Sequence, residues 1–239
     1  MHKYKFIMFD LDGTVTDSGP GIMEAARRAL LSHNIVESDE KRLRLFVGPP
    51  LDESFMERYG MTNEQAWDAI AAFRAYYNDK GVFENSVYPG MEKLLAGLRD
   101  AGYIVAIASS KPQVLIHKVL GHFEIDKYFD VIVGCELDGT RSQKSEVIEE
   151  VLRQLTEIAL KKELITDSSD KPDLSSAAID FIKAHSIMIG DRSYDVEGAH
   201  AFGLPCIGVL YGYGSREEFE KSGADYICET VEDLRELFL

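Results

Sequence analysis

Cysteine is scarce. The 239 residues contain three, Cys135, Cys206 and Cys228, scattered in apolar surroundings without metal-ligand spacing, and they read as reduced core residues. Positive charge is also short: Lys and Arg number 26 against 41 Asp and Glu, a net charge of −15. That balance argues against a nucleic-acid or anionic-membrane surface. Nowhere do 18 apolar residues run uninterrupted, and the amino terminus has no basic segment leading into a long apolar one. A soluble, cytoplasmic protein is therefore expected, with no membrane partner. No internal repeat or low-complexity tract occurs.

What is present is a stretch around which the rest is organised, Phe6-Ile7-Met8-Phe9-Asp10-Leu11-Asp12-Gly13-Thr14. Residues 6–9 form a continuous apolar run, as expected of a strand buried on both faces of a parallel sheet. Asp10 then falls at the carboxyl end of that strand, the edge at which open α/β sheets bind ligands. In extended backbone Asp10 and Asp12 point to the same side. Two carboxylates so placed can share a hard cation such as Mg²⁺, which takes oxygen ligands and keeps places for water and a phosphate. One carboxylate can attack phosphorus while the other exchanges a proton with the leaving group. Gly13 permits a sharp turn beside a ligand. Taken alone, the stretch also reads as a polar turn after a strand. A calcium loop fits poorly, because Gly13 comes three residues after Asp10 and not at loop position six.

Helical periodicity fills the next segment. Gly21 to His33, Ser38-Asp39-Glu40 to about Phe46, Leu51 to Tyr59 and Asn63 to Lys80 all read as helices, with Gly48-Pro49-Pro50 as a stop. No strand intervenes, which suggests a helical insert. From Tyr88-Pro89-Gly90 onward strands and helices alternate. Helices are expected over Met91–Asp100, Gln113–Leu120, Ser142–Leu164, Val196–Phe202 and Val231–Leu237. Strands are expected over Tyr103–Ala108, Tyr128–Val133, Ile187–Ile189, Cys206–Val209 and Tyr226–Cys228. The pattern predicts an α/β fold with a doubly wound, mostly parallel sheet. Thr166–Asp173 is polar enough to be a loop.

Three more strand ends should face Asp10 in such a sheet. Ser109 and Ser110 sit where a helix is expected to begin, so their hydroxyls and the free amides can hold phosphate oxygens or simply cap the helix. Lys144, near the start of the long helix, can balance carboxylate and phosphoryl charge or be an ordinary solvated lysine. In Ile189-Gly190-Asp191-Arg192-Ser193-Tyr194-Asp195, Asp191 stands at a strand end where it can complete a metal site. Asp195 can reach back from the first helical turn, a position that also favours an acid electrostatically.

In order and spacing these segments resemble the motifs of the haloacid dehalogenase-like phosphohydrolases over nearly the whole chain. The resemblance implies a core of residues 1–17 and 86–239 with a helical cap of residues 18–85. It implies Asp10 as nucleophile, Asp12 as general acid then base, Ser109 as phosphate binder and Lys144 as the charge-balancing lysine. It further implies Mg²⁺ held by Asp10, Asp191 and the backbone carbonyl of Asp12, with Asp195 supporting the metal or Lys144. Phe46-Val47-Gly48-Pro49-Pro50-Leu51, Tyr76-Tyr77-Asn78-Asp79-Lys80-Gly81 and Tyr88-Pro89-Gly90 look like members called phosphoglycolate phosphatases or 5'-nucleotidases. A small phosphorylated metabolite is the implied partner of a monomer or homodimer, with phosphoglycolate ahead of a nucleoside monophosphate, pyrophosphate or a sugar phosphate. A mutase is disfavoured, since Gly19 to Ala26 carries neither histidine nor basic residues, and a dehalogenase would not need Asp12 or Asp191. A regulatory module phosphorylated on Asp10 is the non-enzymatic alternative, and Asp12 argues against it. Lys144 and Asp191 lie 47 positions apart, more than the family's usual spacing. The excess falls around Thr156 to Ile182 and reads as a surface extension, an oligomer contact or an edge of the site.

Overall fold

The computed structural model describes residues 1, 3–138, 140–164 and 176–239. The first strand, β1 (Phe6–Phe9), has no exposed residue. Its alternate side chains divide between two apolar layers: Ile7 and Phe9 join one, Phe6 and Met8 the other. This is the period-two division of a strand covered on both faces.

A two-residue strand, β2 (Thr16–Asp17), follows, and then four helices without a strand among them. These are α1 (Gly19–Ser32), α2 (Glu40–Arg44), α3 (Leu51–Tyr59) and α4 (Asn63–Tyr77). Asp39 caps α2 by accepting the Lys41 amide at 2.9 Å. Thr62 and Gln65 close a reciprocal capping box at the start of α4, which satisfies two amides that a helix end leaves open. The chain returns through β3 (Ser86–Val87), which pairs antiparallel with β2, Asp17 opposite Ser86. The two ends of the helical block are thus tied side by side.

The remaining elements build the sheet: α5 (Met91–Asp100), β4 (Ile104–Pro112), α6 (Gln113–His122), β5 (Val131–Cys135), α7 (Lys144–Lys161), α8 (Ser176–Ala184), β6 (Ser186–Gly190), α9 (Ser193–His200), β7 (Cys206–Val209), α10 (Arg216–Ser222), β8 (Tyr226–Cys228) and α11 (Val231–Phe238). Six strands lie in the order β5-β4-β1-β6-β7-β8, and every neighbouring pair is parallel. Buried residues of α5, α6 and α11 join the Ile7 and Phe9 layer, and those of α7, α9 and α10 the Phe6 and Met8 layer. The doubly wound architecture expected from the alternation is what is found. The chain order reverses beside β1, between β4 and β6, so the crevice forms above Asp10.

Several boundaries differ from the expectation. Strand β5 begins at Val131 and not Tyr128, because Asp126–Tyr128 turns as a short 3₁₀ helix before the sheet starts. Strand β4 runs four residues beyond Ala108, with a register shift against β5 between Ala108 and Pro112. The surplus between Lys144 and Asp191 contains α8, whose Ile182 packs into the layer beneath α7. Helix α7 begins at Lys144 and its 18 residues carry the chain roughly 27 Å away from that lysine. The chain therefore leaves α7 far from the crevice. The expected loop Thr166–Asp173 lies outside the described residues. No described helix is long and apolar enough to cross a membrane.

Candidate active site

The carboxyl edge of the sheet gathers acids from adjacent strands. Asp10 follows β1 and its amide donates to the Ile189 carbonyl of β6 at 2.9 Å, which fixes the start of the acidic stretch against the strand that delivers Asp191. Asp10, Asp191 and Asp195 each offer a carboxylate oxygen, all within 4.8 Å of one another and all buried. Gly13 makes this packing possible. It adopts φ +87°, and a Cβ there would come within 2.1 Å of Asp191 Oδ2.

Lys144 is the cation of the group. As the first residue of α7, with a side chain only 8% exposed, it places its ammonium 2.6 Å from Asp10 Oδ1 and 2.7 Å from Asp195 Oδ1. It also donates to the Ala108 carbonyl at 2.9 Å. The solvated-lysine reading is thereby excluded. Asp195 serves two partners, because its other oxygen accepts the Arg192 amide at 3.0 Å and caps α9. Asp191 Oδ2 accepts the Tyr213 amide at 2.8 Å, while its buried Oδ1 has no hydrogen-bond donor among the described residues.

Three carboxylates around one ammonium leave excess negative charge in a place with little water. Burial pushes the Asp10 carboxyl up to about 6 against the pull of Lys144, with Asp195 adding to the rise. Burial raises Asp191 well above the carboxylate range, with Asp195 and Asp10 reinforcing it. Burial alone would lower Lys144, yet Asp10 and Asp195 hold it above its usual value. An oxygen-rich cluster with surplus negative charge and an orphaned carboxylate oxygen suits a hard divalent cation.

The carboxylate of Asp12 stands apart from this cluster. Lys111 donates to both of its oxygens at 3.0 Å and to the hydroxyl of Tyr77 at 2.5 Å. Burial opposes charge on Lys111, but Asp12 and Tyr77 keep its ammonium above the usual value. Sequence reasoning missed this lysine, since the strand is expected to end at Ala108, with Ser109 and Ser110 where the next helix begins. That expectation is corrected. The helix begins at Gln113 with Pro112 as its cap and no side-chain capping bond, so Ser109 and Ser110 lie within β4 and neither caps it. In a strand, Ser109 and Lys111 share a face and Ser110 points the other way; the first two are buried and Ser110 is partly exposed. Ser109 Oγ accepts the Lys111 amide at 3.4 Å.

The helical block meets the sheet at further points that the sequence reading did not single out. Arg192 donates to the Val47 carbonyl at 2.6 Å. Arg44 donates to the Gly212 carbonyl at 2.7 Å and lies over the Tyr213 ring. The Tyr213 hydroxyl bonds Asp17.

Residues 7–209 match the haloacid dehalogenase-like hydrolase family. The chain belongs to this family. Among its relatives, a 5'-nucleotidase of Pseudomonas aeruginosa is 37% identical over 98% of this chain and 96% of that protein. A protein of Mycobacterium tuberculosis named tyrosine-protein kinase PtkA is 34% identical over 97% of this chain and 72% of its own length. A phosphoglycolate phosphatase of Cupriavidus necator is 29% identical over 95% of this chain and 90% of that protein. The crystal structure of a predicted phosphatase from Clostridium acetobutylicum superposes with a TM-score of 0.82 at 42% identity, covering 98% of this chain and 97% of that one. This hydrolase is an enzyme of the family's phosphatase kind.

Proposed function

We propose that this hydrolase is a Mg²⁺-dependent phosphomonoesterase that works through an aspartyl phosphate on Asp10. The observation that carries the reading is the Lys144 ammonium between Asp10 and Asp195. It engages Asp10 Oδ1, leaving Oδ2 as the oxygen to attack phosphorus. Bond formation from Oδ2 expels the ester oxygen with its electron pair, and Asp12 supplies the proton that oxygen needs. Asp12, now a carboxylate, takes a proton from water. The water oxygen bonds to phosphorus, the bond from phosphorus to Asp10 breaks, and Asp10 leaves as a carboxylate. Lys144 balances the negative charge that Asp10 and the phosphoryl oxygens share, and Ser109 is assigned a hydrogen bond to the phosphoryl group. Ser110, turned away from that face, is assigned at most a backbone contact. Mg²⁺ would be held by Asp10, Asp191 and the Asp12 carbonyl, with Asp195 supporting, and would neutralise phosphoryl oxygens.

Residues 18–85 act as the cap that closes over the crevice, and residues 1–17 and 86–239 as the core. The sequence resemblance favours phosphoglycolate as substrate. The greater identity of the nucleotidase relative, 37% against 29%, favours a nucleoside 5'-monophosphate as the second reading. Phosphate release should be measured from phosphoglycolate, nucleoside monophosphates, pyrophosphate and sugar phosphates, with and without Mg²⁺. The expected outcome is metal-dependent release that Asp10→Asn abolishes without unfolding the protein. Retained turnover in that variant would remove Asp10 from its role, and transfer to a protein tyrosine in place of water would reassign the acceptor.

A further inference from the structure

The Lys111 ammonium meets three oxygens, the two of the Asp12 carboxylate and the hydroxyl of Tyr77. An ammonium so committed is fixed in direction although its stem is flexible. Its side chain is 4% exposed, so water offers it no substitute partner. Among the described residues, the hydrogen bonds to the Asp12 carboxylate all come from this lysine.

Tyr77 is the last residue of α4 and belongs to the helical block, not to the sheet. Its ring stacks on Phe73 at 5.3 Å and lies under the lysine at 4.7 Å. One residue on, the Asn78 carbonyl accepts from Lys118 of α6 at 2.5 Å. The end of α4 is thus docked on the β4–α6 segment at two successive residues, and one of them continues by hydrogen bonds to Asp12.

We propose that Lys111 and Tyr77 are positioning residues: docking of the α4 end orients Lys111, and Lys111 orients the carboxylate that exchanges a proton with the leaving oxygen. This rests on the acid/base reading of Asp12 given above. It makes proton transfer conditional on the block being seated, because lifting α4 withdraws the hydroxyl that holds the ammonium in line. A purely structural ion pair would need only the lysine and the carboxylate.

The test compares kcat/KM for an alkyl phosphate, whose alkoxide must be protonated to leave, with that for p-nitrophenyl phosphate, whose nitrophenolate leaves unaided. Tyr77→Phe keeps the ring and its stacking, so it serves even where Lys111→Met folds poorly. Both variants should lower kcat/KM for the alkyl ester by roughly tenfold or more and for the nitrophenyl ester by less than about threefold. Combined with Asp12→Asn, either should produce no further loss, as expected of residues acting through one group. Equal losses on the two esters, or losses that multiply with that of Asp12→Asn, overturn the proposal and leave the acid/base reading standing. If Asp12→Asn itself loses both esters equally, the acid/base reading fails and the proposal with it.

Discussion

At Asp191 the proposed chemistry would come at the expense of stability. This side chain shares its surroundings with Asp10 and Asp195, and one ammonium cannot balance three carboxylates. Asp191→Asn should therefore abolish turnover yet raise the stability of the metal-free protein by about 1–2 kcal/mol, a Tm increase of roughly 2–8 °C for a chain of this size. Added Mg²⁺ should raise the Tm of the parent and not of the variant, which differential scanning calorimetry would read directly. The pH dependence follows from the same crowding. The Asp10 carboxyl, raised to about 6 by burial, holds a proton in the folded state that an unfolded aspartate with pKa about 4 has released. The folded state then binds more protons, so the metal-free protein should lose stability as pH rises through about 6. A melting temperature that climbs between pH 5 and 7 would contradict this assignment.

At the scale of elements, the crevice depends on how closely α9 approaches α7. Gly198 faces Lys144, and a Cβ added there would lie 2.6 Å from Lys144 Cγ. Alanine is the better helix former by about 1 kcal/mol, so Gly198→Ala has a local gain opposed by a clash at Lys144. The expected result is a Tm changed by little and a kcat lowered roughly tenfold or more, because Lys144 must shift away from Asp10; an unchanged kcat would mean that Lys144 tolerates displacement. Elements such as this were unevenly legible in the sequence. Phe6–Phe9, Met91–Asp100 and Cys206–Val209 carry apolar runs or periods that specify their type, and the structure places them where they were expected. The β2 and β3 pair was not readable, since two-residue strands at opposite ends of the helical block have no local period. Helix α10 escaped notice because Phe219 is its only buried residue. Lys111 was hidden because the apolar run that specifies the strand stops at Ala108, whereas the strand continues through polar residues to Pro112. The acids at strand ends were legible because position along a parallel sheet dictates where they converge.

For the whole molecule, charge and crevice pull in different directions. A net charge of −15 repels a phosphate ester at long range, while Lys144 and Lys111 act only at the bottom of the crevice. Raising the salt from about 10 mM to about 150 mM shortens the screening length from roughly 30 Å to roughly 8 Å. At fixed Mg²⁺, kcat/KM should therefore rise roughly two- to fivefold with kcat unchanged; a fall would show that the local cations govern approach. The three scarce cysteines also gain a use. Burial raises the thiols of Cys135, Cys206 and Cys228, the last to about 11, and the nucleophilic form of a cysteine is the thiolate. The native chain should thus be nearly inert to maleimide. A cysteine put in place of the half-exposed Trp67 on α4 would be the one site that takes a fluorophore, so the seating of the helical block could be followed by light in the otherwise unaltered protein.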